Sequence, residues 1–210
     1  MEDIAIIGAG GFGQEVLSLI TAINQNKNQY NFIGFFDDNT LVENVIGKIT
    51  DIKKHSPNLR LVLAIGNPTT KKRIIFNNTF EKSSFPNLIH PNVEIQNNQI
   101  SLGVGNIICK GVSLTTNIKI DDFAIVNLNS TIGHDCVIKD YCSIMPGVNV
   151  SGETTLEVGN YLGTGSTILQ GIKIGKWATI GAGAVVIRDV PDFAVVVGNP
   201  GKIIKYNEIE

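Results

Sequence analysis

The sequence predicts a small α/β unit with a parallel sheet, followed by a long parallel β-coil with three short strands to each turn. Two observations predict it. Up to about residue 86, apolar strand runs alternate with helical spacing, and from residue 102 an aliphatic residue recurs at every sixth position without a break.

In the first half, Ile4 to Ile7 form a strand that runs into Gly8-Ala9-Gly10-Gly11-Phe12-Gly13, and Val16, Leu19, Ile20 and Ile23 then fall on one helix face. Phe32 to Phe36 make a second strand, ending at Asp37-Asp38. Leu61 to Ile65 make a third, ending at Gly66-Asn67-Pro68 ahead of a helix through Lys72, Ile75 and Phe76. Residues 1–86 are therefore read as a Rossmann-like unit, half the size of a complete dinucleotide fold, which fits a mononucleotide site. Gly8, Gly10, Gly11 and Gly13 lie between a strand and a helix start, where free N–H groups hold phosphate. Asp37 and Asp38 are candidates for bonding a sugar or nucleoside hydroxyl, with a polar turn the plainer reading. Lys72 and Arg73 are candidates for neutralising phosphate, although exposed helix charge is the commoner meaning of such residues.

The second half, residues 87–210, is governed by the period of six. Stepping from Leu102 to Val186 meets fifteen positions, all Leu, Ile or Val. By chance this has a probability on the order of one in a billion at ordinary composition. Two residues earlier stands a column of small residues, among them Ala124, Ser130, Cys136, Cys142, Ala178 and Ala184. A helix would turn by about 600° over six residues and lose the stripe. A triangular coil keeps it, with eighteen residues per turn and turns about 4.8 Å apart.

Composition bounds the function. The chain has 210 residues, 43% hydrophobic and 17% charged, with a formal net charge of −2. These values predict a soluble globular protein with no field for nucleic acid. The start of the chain lacks signal-peptide order, no run reaches membrane-spanning length, and three cysteines without a C-x-x-C pair fit reduced thiols; a cytoplasmic location is expected.

The repeat resembles the hexapeptide-repeat acyltransferases over residues 87–205, with an ending, Ile180-Gly181-Ala182-Gly183-Ala184-Val185-Val186 through Val197-Gly198-Asn199-Pro200, similar to that family's C-terminal pattern. Gly201 departs from it, since alanine is usual there. The resemblance implies a left-handed parallel β-helix, a homotrimer and acetyl-CoA as co-substrate, with no metal. Taken with the glycine-rich unit in front, the chain is similar to the subgroup that acetylates nucleotide-linked aminosugars, or alternatively a hydroxyl of sialic acid or a related sugar.

Amide formation from a thioester needs a base for the attacking nitrogen and a donor for the developing oxyanion. His134 is the only histidine inside the repeat, two residues past the inward Ile132, so its side chain should leave the coil. A solvated surface histidine is the plain reading of that position; the resemblance implies the catalytic base. The resemblance also implies that Asp135 orients the ring, which requires a bend, because neighbouring side chains on a strand diverge. Gly152 lies eighteen residues on, stacked over His134, and is either a turn glycine or an oxyanion donor through its N–H. For CoA the resemblance implies Gly181, Ala182 and Gly183 along the pantetheine arm and Arg188 and Lys202 at the phosphates. Zinc hydration chemistry on such a coil would need three histidines, a nicotinamide oxidoreductase would need a larger first unit, and a nonenzymatic scaffold leaves the His-Asp pair unexplained.

Overall fold

The computed structural model describes residues 1–78, 80–95 and 99–208. Strand β1 (Glu2–Ile7), strand β2 (Tyr30–Phe36), strand β3 (Val45–Gly47) and strand β4 (Arg60–Leu63) form one parallel sheet in the order β3-β2-β1-β4. Helices α1 (Gly11–Asn26) and α2 (Pro68–Asn78) pack against it. The apolar spacing expected for the first helix is the buried face of α1, with Val16, Leu19, Ile20 and Ile23 all inside. β3 went unread in the sequence because it has three residues and no fully buried side chain to set a period.

The coil begins at Leu88–Ile89, which pairs with Ile107–Ile108 nineteen residues on, and from Ile100 to Val186 it winds through three sheets whose parallel paired residues are eighteen apart. It is a left-handed parallel β-helix. All fifteen aliphatic residues of the six-residue series join one interior cluster, with only Leu102 and Leu114 at its first turn partly exposed. The small column is buried beside it because a corner leaves no room for more; Cys136 and Cys142 sit there as free thiols, and burial pushes Cys142 up to about 12. The corners turn because their third residue adopts positive φ, as at Asn117, Asp135, Glu153 and Trp177. An antiparallel hairpin, Ala194–Val197 with Lys202–Tyr206, ends the coil.

The α/β unit lies against one outer sheet of the coil. Ile107, Cys109 and Ile125 point out of the coil and are buried with α1's apolar face, while Phe85 and Phe123 join the cluster that holds Ile74 of α2. Outward aliphatic residues at these positions are thus interior to the protein.

The glycine turn is tighter than a ligand loop alone requires. A Cβ on Gly13 would run into the carbonyl oxygen of Gly8, and one on Gly8, at φ +102°, into the Ala64 carbonyl at 2.9 Å. These two glycines therefore let α1 start close against β1. Gly13→Val should lower stability by about 1–3 kcal/mol through overpacking. Thermal unfolding would record the loss with or without substrate.

Candidate active site

His134 and Asp135 occupy one corner of the coil, Gly133 to Cys136, between strands Thr131–Ile132 and Val137–Ile138. The bend that the pairing demands is present. Asp135 has φ +58°, which swings its carboxylate round so that Oδ2 lies 2.7 Å from Nδ1 of His134. An ionised carboxylate accepts the Nδ1–H, which leaves Nε2 as the basic nitrogen. The ring remains 55% exposed.

One turn below, Asn117 has φ +53° and its Nδ2 donates to the other carboxylate oxygen of Asp135. This hydrogen bond first, and the one to His134 second, hold the Asp135 carboxyl below the usual carboxylate range. Three side chains thus form a chain from Asn117 through Asp135 to the imidazole. Asn117 was not singled out in the sequence, yet the eighteen-residue stack beneath Asp135 points to it. Asn117→Ala should cut turnover by about 3- to 10-fold through poorer ring orientation, with both KM values within about twofold. Steady-state kinetics at saturating substrates would check it.

One turn above, Gly152 stands directly over the His134 ring. The room over this buried glycine is filled by the imidazole itself: a Cβ on Gly152 would lie 2.5 Å from His134 Nε2 and 2.7 Å from Cε1. Glycine here seats the ring. Its N–H enters no backbone hydrogen bond among the described residues, while the next N–H, that of Glu153, donates to the His134 carbonyl at 2.7 Å.

At the glycine turn, Gly10 and Gly11 have open space where a Cβ would stand, as does Gly66 in the loop before α2. Asp37 Oδ2 accepts the Ala9 N–H at 2.8 Å and Oδ1 accepts the Asn39 N–H at 2.8 Å, so it clips the end of β2 to the glycine turn. Asp38 is exposed beside it. Lys72 reaches towards the coil. Its Nζ lies 5.0 Å from the ring centroid of Trp177 on the coil, a cation–π contact, and Arg73 is exposed on the same helix.

On the late turns, Ala182 and Gly183 are exposed and a Cβ on Gly183 would meet nothing, whereas one on Gly181 would reach Val197 Cγ1 at 2.8 Å. Arg188 and Lys202 come together on one cleft of about 340 Å³ formed with Ile187, Asp189, Pro200 and Gly201. The sequence places them fourteen residues apart; the terminal hairpin folds them to the same place. Among the described residues no three His, Cys, Asp or Glu side chains converge as a metal site would require.

Residues 3–77 match the family model of the PglD N-terminal domain. Over 212 aligned positions the chain is 31% identical to the GDP-perosamine N-acetyltransferase of Escherichia coli O157:H7, covering 95% of each protein. The chain belongs to the hexapeptide-repeat acyltransferases. Within that family it is the form with an N-terminal Rossmann-like unit. The acetyltransferase domain of PglB from Neisseria gonorrhoeae FA1090, solved with acetyl coenzyme A, superposes with a TM-score of 0.87 at 31% identity, covering 97% of this chain and 99% of that one. The X-ray structure of PerB from Caulobacter crescentus with CoA and GDP-perosamine superposes with a TM-score of 0.85 at 26% identity, covering 98% of both. This family member therefore shares both of its halves, in order, with enzymes solved around the two kinds of ligand that its own sequence suggests.

Proposed function

We propose that the protein transfers the acetyl group of acetyl-CoA to the amine of a nucleotide-linked aminosugar, with His134 as general base. The observation that carries this is the imidazole clamped at Nδ1 by Asp135, the ring half-exposed and seated on a glycine. The acceptor amine attacks the thioester carbonyl carbon, and Nε2 takes the proton that the nitrogen must lose. As the tetrahedral species collapses, the C–S bond breaks and the imidazolium returns that proton to the leaving sulfur. The Gly152 N–H, without a backbone partner among the described residues, is a donor beside the ring for the oxyanion.

Gly10, Gly11 and Gly66 line the acceptor's nucleotide end, at a helix start whose N–H groups suit phosphate. The exposed Ala182–Gly183 edge takes the pantetheine arm and the Arg188–Lys202 cleft the phosphates of CoA. Function in the cytoplasm as a homotrimer completes the reading. Nitrogen rather than oxygen is favoured because a relative that matches over 95% of the chain is an N-acetyltransferase.

Free thiol should appear only when acetyl-CoA and an aminosugar nucleotide are both present. A panel of GDP-, UDP- and dTDP-linked aminosugars, with sialic acid as the hydroxyl acceptor, would test this; transfer to sialic acid alone would reverse the choice of nitrogen. Absence of transfer to every member would end the proposal.

A further inference from the structure

α2 carries a lysine that the chemistry above does not use. Lys71 is 1% exposed, and it points away from the α/β unit into the corners of the coil. Its Nζ donates to the carbonyl of Phe123 at 2.9 Å and to that of Cys142 at 3.0 Å, on two successive turns. No carboxylate pairs with it among the described residues. Burial pushes its pKa down to about 7, and its N–H groups meet the two carbonyls.

The surroundings reinforce one docking angle. Phe85, Phe123 and Tyr141 form an aromatic edge on this corner, with Phe85 and Phe123 edge-to-face and Phe123 stacked on Tyr141 at 4° between planes. Trp177 lies over Gly159, which has no side chain to hinder it, and receives Lys72. Both lysines leave one turn of α2. That helix begins at Pro68, two residues after Gly66, on the crevice that also holds Gly10 and Gly11.

We propose that Lys71 is a positioning residue that locks α2, and with it the nucleotide crevice, onto the coil, so that an acceptor held by the α/β unit is presented at one fixed angle to the acyl-transfer site. The inference rests on the function proposed above. A fixed angle converts tethering into orientation, which is where intramolecular rate advantage arises and where a displacement of about 1 Å can cost on the order of 10²-fold. An apolar side chain at 71 would fill the space and leave the Phe123 carbonyl without its donor.

The test is Lys71→Met in the full chain. Hydrogen exchange without substrates should show α2 amides and the corners at residues 121–124 and 139–142 exchanging at least about tenfold faster. Calorimetry should find CoA, GDP, UDP and dTDP binding within about twofold of the unaltered protein, while kcat on the preferred aminosugar nucleotide falls by about 10- to 100-fold. Should the methionine variant fail to fold, Lys71→Gln, which keeps a donor on a shorter stem, should show the same pattern at about 3- to 10-fold. Unchanged kcat would overturn the proposal. So would loss of CoA binding in step with activity, since Lys71 would then serve stability alone. If the unaltered protein acetylates no aminosugar nucleotide, the proposed function fails; unchanged exchange would then still refute the lock, and faster exchange would still uphold it.

Discussion

Replacing His134 with alanine should lower kcat by about 10²- to 10⁴-fold, the range lost with a general base. The substitution removes Nε2 from a ring that is 55% exposed and buries nothing in its place, so the coil should fold unchanged. CoA affinity should stay within about twofold, because the residues assigned to CoA lie on later turns and the terminal hairpin. Steady-state rates at saturating substrates, with calorimetric CoA binding, separate the two quantities. Full turnover at saturation would remove His134 from the mechanism.

Much of the coil was legible because its geometry repeats. Each inward residue stacks on the one eighteen before it, so one physical demand, filling a narrow triangular interior, is imposed fifteen times and leaves the run from Leu102 to Val186. His134 was legible for the same reason: the register put it on an outer corner. The period also held Asn117, one turn under Asp135, but only the positive φ at both residues shows that their side chains meet.

The α/β unit was legible in kind and less so in role. Four glycines in one turn look alike in sequence, yet Gly8 and Gly13 serve close backbone packing while Gly10 and Gly11 are open. Asp37 looks only like a hydroxyl ligand in sequence, while the fold also has it accept the Ala9 N–H. Lys71 and Lys72 are adjacent lysines whose partners, Phe123, Cys142 and Trp177, lie 52 to 105 positions away along the chain. Such contacts depend on how two units dock, and no local period carries that information.

Gly152→Ala should lower kcat by about 10²-fold, through the imidazole and not through the backbone. Gly152 does not occupy the left-handed region, so alanine is compatible with its conformation and the fold should lose little stability. The added Cβ, however, falls 2.5 Å from Nε2 and 2.9 Å from Cδ2 of His134, closer than carbon and nitrogen approach without a bond. The ring must tilt, which draws Nδ1 off Asp135 or turns Nε2 away from the acceptor, and misplacement of about 1 Å at a reacting group costs rate on the order of 10²-fold. Alanine keeps the N–H of residue 152, so loss of an oxyanion donor is not the cause of the expected drop. A double-variant cycle isolates the cause: added to His134→Ala, Gly152→Ala should change kcat by less than about twofold, because the group it displaces is already gone. An equal loss in both backgrounds would instead mean that the methyl obstructs the thioester, and that glycine is required at 152 for acyl access and not to seat the base.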